Sequence, residues 1–137
     1  HDYGHNFNEY VNKWNKDSII IIQIESINAV NNLPSIIDNK HIDGVIVGPY
    51  DISGSLGIPG KINDKRVIAA SKKVLKVCNK FNKSCGIHLP SVSASSLNKV
   101  ISDGFNFIIL ASDIFILRDW ATEVNKTTNK WLSKRKI

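Results

Sequence analysis

The sequence predicts an α/β fold in which parallel strands alternate with helices, and three observations carry that expectation. Four short apolar runs, at 19–24, 44–47, 85–89 and 107–110, are continuous rather than alternating, as in strands covered on both faces. Each run is followed by a stretch with apolar residues at three-four spacing, the mark of a helix with one buried face. No linker, repeat or low-complexity segment interrupts this alternation. Repeated βα units imply a parallel sheet with right-handed crossovers, either open or part of a barrel. A closed (β/α)8 barrel needs roughly 250 residues, and this chain has 137, so the prediction is a single domain over 1–137 built as a (βα)4 segment.

Taken in order, Phe7, Tyr10, Val11 and Trp14 predict a short amphipathic helix ahead of the first strand. The first connector, 26–38, opens on the N-cap residue Ser26, places apolar residues at 29, 30, 33, 36 and 37, and is expected to kink or shorten at Pro34. The second, 64–83, puts Val67, Val74, Cys78 and Phe81 on one stripe with lysines elsewhere. The third, 93–103, is capped by Ser93 and stopped by Gly104, with Leu97, Val100 and Ile101 inward. The fourth begins after Asp113 and keeps Ile114, Leu117, Ala121, Val124, Thr128 and Trp131 in a strict three-four pattern.

Composition excludes several classes of function. Eighteen lysines and arginines against twelve acids give a net charge of +6. That charge is spread over helix faces and the tail, including Lys136, as on a solvated surface, so no nucleic-acid partner is expected. The apolar runs stop near six residues, far short of the ~20 a membrane helix needs. Residues 1–10 have no apolar signal core. No membrane partner is expected, and the predicted location is cytoplasmic. Cys78 and Cys85 fall in or beside core elements and read as reduced packing residues. His1, His5 and His41 carry no spacing signal.

In parallel α/β folds the chemistry lies at the carboxyl ends of the strands. There the sequence offers Gln23, Glu25 and Ser26; then Gly48, Pro49, Tyr50 and Asp51; then His88, Leu89 and Pro90; then Ala111, Ser112 and Asp113. Neighbouring parallel strands lie ~4.8 Å apart, so Glu25 and Asp51 can converge on one cation. Two carboxylates leave coordination positions for water or substrate, which favours Mg²⁺ or Mn²⁺. The residues alone leave a second reading open, with Glu25 capping the next helix and Asp51 opening a turn. Gly48-Pro49 and the glycine-rich stretch 54–60 read as backbone able to approach a ligand closely and to offer N–H groups to a carboxylate. His88 reads as a pocket-wall residue in preference to a base.

The combination of Gln23-Ile24-Glu25-Ser26, the run 43–53 with Gly48-Pro49-Tyr50-Asp51-Ile52-Ser53, Leu56-Gly57-Ile58-Pro59-Gly60 and Gly86-Ile87-His88 resembles the HpcH/HpaI aldolases, the metal-dependent class II pyruvate aldolases. The likeness runs from about residue 3 to residue 120, in the family's order and spacing. It implies half of a (β/α)8 TIM barrel of the phosphoenolpyruvate/pyruvate superfamily, this chain holding the fifth to eighth βα units. It implies reversible cleavage of a 4-hydroxy-2-oxo acid to pyruvate and an aldehyde through a metal-stabilised enolate. By the same resemblance Glu25 and Asp51 are metal ligands for Mg²⁺ or Mn²⁺, with Co²⁺ as a third candidate, and Gln23 is a catalytic polar neighbour. Gly48, Pro49, Tyr50, Asp51 and His88 bind substrate, with the Tyr50 and Asp51 N–H groups on the pyruvyl carboxylate.

The departure from the family is also plain. The histidine base and the arginine that polarises the keto oxygen belong to the barrel's first half, and Arg66, Arg118 and Arg135 fall on helices or in the tail. A half-barrel leaves apolar surface to be covered, so the expected partner is a second copy or a complementing barrel half. A non-catalytic module that binds a metal or small acid, or that serves assembly, is the alternative.

Overall fold

A computed structural model describes residues 2–134; His1, Arg135 and Lys136, named above, lie outside the described residues. A single 3₁₀ turn, Asp2–Gly4, precedes α1 (Phe7–Asp17), β1 (Ile21–Ile24), α2 (Ile27–Ile37), β2 (Gly44–Val47), α3 (Pro49–Ser55), α4 (Lys65–Lys80), β3 (Ser84–Leu89), α5 (Ala94–Ser102), β4 (Phe107–Leu110) and α6 (Asp113–Lys134). The strands form one sheet in the order β1-β2-β3-β4, with β1 parallel to β2 and β3 parallel to β4. The chain divides into two compact units, 1–85 and 86–137, with the division inside β3.

The first unit holds most of the buried apolar side chains. Val30, Leu33 and Ile37 of α2, Val45 and Val47 of β2, Ile52 of α3, and Val67, Val74 and Cys78 of α4 are almost wholly enclosed. α2 and α3 both pack on α4. Of the two effects expected of Pro34, shortening does not occur, because α2 runs through it to Ile37. A proline inside a helix costs about 3 kcal/mol, whereas burying each of Val30, Leu33 and Ile37 contributes roughly 1.5–3 kcal/mol, so packing prevails. Ser26 starts the helix as expected, its Oγ accepting the Ala29 N–H at 3.1 Å.

α4 begins at its cap Asp64, but it ends at Lys80 rather than at residue 83. Asn82 adopts φ 53°, and the Lys83 and Asn82 N–H groups return to the carbonyls of Cys78 and Asn79 at 2.9 and 3.2 Å. This is a Schellman closure with asparagine in the left-handed position that glycine more often fills. β1 likewise starts two residues later than the apolar run. Ile19 and Ile20 are exposed, and the Ile20 N–H donates to the Asp43 carboxylate at 2.7 Å.

The second unit is built differently. β3 and β4 meet so closely at Gly86 that an added Cβ would lie 2.5 Å from Phe107 Cδ1 and 2.9 Å from the Phe107 carbonyl oxygen. α5 opens with a capping box between Ser93 and Ser96, and Gly104 follows the helix at φ 101°. Val100 is buried, but Ile101, expected inward, is exposed. The long helix α6 forms as predicted, yet it buries none of its residues. β4 shares this openness, with Phe107 and Leu110 exposed, so the expectation of strands covered on both faces fails there. Among the described residues no helix is long and apolar enough to cross a membrane.

Candidate metal and carboxylate site

The parallel register pairs Ile24 with Val47, and the next step of the ladder is the Gly48 N–H donating to the Ile24 carbonyl at 3.0 Å. That bond brings the ends of β1 and β2 together. Gln23 and Glu25 flank Ile24, and Asp51 follows Gly48 by three residues.

The chain turns at Gly48 directly into α3, with Gly48 as N-cap, Pro49 at the first helical position and Asp51 in the first turn. This helix is hidden in the sequence, because Gly48 at its cap and Gly54 within it read as loop. Its signal was nonetheless present in Gly-Pro, a pair that suits a helix start since proline's fixed φ and missing N–H cost nothing there.

The geometry is clearest at Gly48 itself. A Cβ on this residue would sit 3.0 Å from Asp51 Oδ2, 3.3 Å from Glu25 Cγ and 3.4 Å from Gln23 Nε2. Three of the predicted site side chains therefore surround one point, and only a residue without a side chain leaves that space to them. Since φ at Gly48 is −103°, crowding and not backbone strain makes glycine necessary. Gln23, Glu25, Tyr50 and Asp51 are all exposed to water, while Gly48 is buried.

The competing structural role for Glu25 is occupied by another residue, because Ser26 supplies the α2 cap. Asp51 stands in a helical turn and not in an isolated one. Among the described residues neither carboxylate has a hydrogen-bond or ion-pair partner. The described arginines are engaged elsewhere: Arg66 with Asp64 at 3.0 Å, and Arg118 with Asp119 at 2.6 Å and over the Phe115 ring.

No cluster of three or more His, Cys, Asp or Glu side chains able to hold a metal occurs among the described residues. The donors around Gly48 are thus two carboxylates and a carboxamide. Two carboxylates, short of a full shell, suit a hard divalent ion that keeps several waters and do not suit a zinc-type structural site. The N–H groups of Tyr50 and Asp51 lie in the first turn of α3, where no intrahelical acceptor exists, and the helix end favours negative charge.

His88 belongs to the second unit. Its ring packs on Phe115 with centroids 5.6 Å apart, and its Nε2 is buried without a hydrogen-bond partner among the described residues. Cys78 and Cys85 are buried thiols, as packing residues should be. Contact with Cys78 together with burial pushes the Cys85 thiol far above its ordinary value.

Parallel βα units with polar groups gathered at the carboxyl ends of their strands mark the class of α/β proteins, barrel or open sheet, whose sites lie at that edge. Within that class, the model of the HpcH/HpaI aldolase/citrate lyase family matches residues 5–119. The chain belongs to this family. It is 32% identical over 110 residues to a 5-keto-4-deoxy-D-glucarate aldolase of Klebsiella pneumoniae, covering 80% of this chain and 42% of that protein. It is 34% identical over 79 residues to a 4-hydroxy-2-oxo-heptane-1,7-dioate aldolase of Escherichia coli, covering 58% of this chain and 30% of that one. The crystal structure of an HpcH/HpaI aldolase from Desulfitobacterium hafniense superposes with a TM-score of 0.77 at 27% identity, over 90% of this chain and 47% of the other. The chain therefore spans less than half the length of these relatives.

Proposed function

We propose that residues 1–137 form one half-barrel domain that supplies the metal-binding and 2-oxo-acid-binding half of a carbon–carbon lyase, an aldolase that cleaves a 4-hydroxy-2-oxo acid to pyruvate and an aldehyde. The observation that carries this reading is the convergence of Gln23, Glu25 and Asp51 around Gly48, with both carboxylates unpaired among the described residues. Membership of the aldolase family supports it.

In this reading Glu25 and Asp51 hold a divalent ion, Mg²⁺ or Mn²⁺, with Co²⁺ as a third candidate. Gln23 fills the remaining polar wall. The Tyr50 and Asp51 N–H groups bind the carboxylate of the 2-oxo acid, fixing its keto group toward the two acids. When bound, the ion supplies positive charge beside the oxygen on which negative charge develops. The three side chains nearest this point, Gln23, Glu25 and Asp51, include no histidine, arginine or lysine, so in this reading the proton carrier comes from elsewhere.

Such groups each typically contribute 10²-fold or more. The 137-residue chain should therefore exchange the methyl protons of pyruvate slowly and perform little aldol cleavage. Solvent-deuterium exchange followed by NMR in the presence of Mn²⁺ or Mg²⁺, with Asp51→Asn as control, tests this. Metal-dependent exchange that Asp51→Asn abolishes is expected. Exchange at the buffer rate would contradict the binding role, and turnover at ordinary enzyme rates would contradict the division of labour.

The uncovered α6 favours a companion reading for assembly. Ile114, Leu117, Val124 and Trp131 of its three-four stripe are all exposed, and we propose that a second copy or a complementing barrel half covers them. A monodisperse monomer in light scattering at high concentration, binding no apolar dye, would contradict this.

A further inference from the structure

We infer that Ser55 is a positioning residue that sets the separation of the Glu25 and Asp51 carboxylates; the inference rests on the metal-site reading above. Ser55 is the last residue of α3, the helix that carries Asp51 in its first turn. Its hydroxyl donates to the Ile52 carbonyl of the same helix at 2.9 Å and accepts the Ile27 N–H at 2.9 Å. Ile27 is the first residue of α2 and follows Glu25 by two positions.

The bond to Ile27 has a clear cause. The first turn of α2 presents N–H groups without intrahelical acceptors. Ser26 satisfies that of Ala29, and Ser55, from a different element, satisfies that of Ile27. Among the described residues this is the one side-chain hydrogen bond joining the segment after β1 to α3. The backbone bond from Gly48 to Ile24 fixes where the two strands end, but it leaves the direction in which α3 departs undetermined.

Buried Ile52, whose carbonyl accepts from Ser55, pins α3 from the core side. The Ser55 hydroxyl then ties the far end of α3 to the residues just beyond Glu25. Two exposed carboxylates with no other polar partner repel each other and drift apart unless their backbones are held, and both backbones meet at this hydroxyl. Alanine at position 55 removes the donor and the acceptor together, whereas threonine keeps both.

Mn²⁺ alone, titrated into the 137-residue chain and followed by electron paramagnetic resonance of the free ion, tests the inference. Ser55→Ala should weaken Mn²⁺ by about tenfold, the lower end of what losing a group hydrogen-bonded to a ligand costs, and Ser55→Thr should restore it to within about twofold of wild type. Ser93→Ala, which removes a helix cap in the second unit, serves as the purely structural control and should leave Mn²⁺ affinity unchanged. Amide exchange at Ile27, read by NMR, should accelerate in Ser55→Ala and not in Ser93→Ala.

Equal Mn²⁺ affinity in wild type and Ser55→Ala would overturn the inference while leaving the site reading in place. So would an equal loss in Ser93→Ala. Absence of Mn²⁺ binding in the wild type would overturn the site reading and, with it, the role given to Ser55; normal exchange at Ile27 in Ser55→Ala would separately contradict the tie itself.

Discussion

The two units differ in where their apolar residues go. In residues 1–85 three helices and two strands enclose Val30, Leu33, Ile37, Val45, Val47, Ile52, Val67 and Val74 at 1% exposure or less. In residues 86–137 Val100 and Phe105 are the only buried apolar side chains among the described residues, while Leu117 and Trp120 of α6 stand 63% and 69% exposed. The first unit has its own core and, on the rim of that core, the paired acids. The second unit carries an equally regular helical pattern that buries none of its residues. Periodicity thus records which face a helix is built to bury, and a neighbour is needed before the burial occurs.

The sharpest way to break this comparison is to truncate one leucine in each unit. Leu33→Ala should destabilise the first unit by about 2–5 kcal/mol, the usual cost of emptying a packed site, whereas Leu117→Ala should change stability by less than about 0.5 kcal/mol. Urea unfolding of the two variants measures both. A loss at Leu117 comparable to that at Leu33 would show that α6 is covered in solution.

The glycines at close approaches give a smaller contrast. Gly86→Ala places a methyl against the Phe107 backbone and ring and should cost about 1–3 kcal/mol by overpacking. In Gly48→Ala the nearest atoms are all side-chain atoms, Asp51 Oδ2, Glu25 Cγ and Gln23 Nε2, with no backbone among them. That variant should lose metal affinity with little change in its unfolding midpoint, and parallel thermal melts and metal titrations would reveal any reversal of this order.

The smallest effect expected is at the start of α4. The Arg66 guanidinium and backbone N–H hold the Asp64 carboxyl at about 2, below its ordinary 3.8. Folding therefore favours the charged form. The contribution of this cap is complete above the ordinary value and is lost as pH falls through about 2. Asp64 sits half-exposed at the start of the helix, so the consequence is local fraying of the first turn in acid. A carboxyl carbon NMR titration of Asp64 with its midpoint near 4 would contradict the arrangement.

Most of the frame was legible in the residues, and each failure has a physical cause. β2 and β4 occupy the predicted ranges, since β2 is bounded by Gly44 and Gly48 and β4 follows directly on the Gly104 stop of α5. Ser26 and Ser93 cap the helices they are assigned to, and α4 starts at the expected Asp64. α2 is not shortened at Pro34 because burial outweighs the lost hydrogen bond, and α4 ends before residue 83 because Asn82 takes the left-handed position that glycine more often fills.

At the site, Gln23, Glu25, Gly48 and Asp51 were readable from their places at the strand ends, and the structure gathers them. The helix that presents Asp51 was hidden by its glycines. Ser55 was hidden because its partner lies 28 residues away, a pairing that no local pattern announces. His88 was read as a wall residue of the mouth, and its observed neighbour is Phe115.

The claim on which the functional account stands is that Glu25 and Asp51 share one ion. Calorimetric titration of the 137-residue chain with Mn²⁺ tests it directly, with Glu25→Gln and Asp51→Asn alongside the wild type. The account predicts a single site that either substitution weakens strongly, with the folded content of all three proteins unchanged by circular dichroism. Equal heats from wild type and both variants would contradict it.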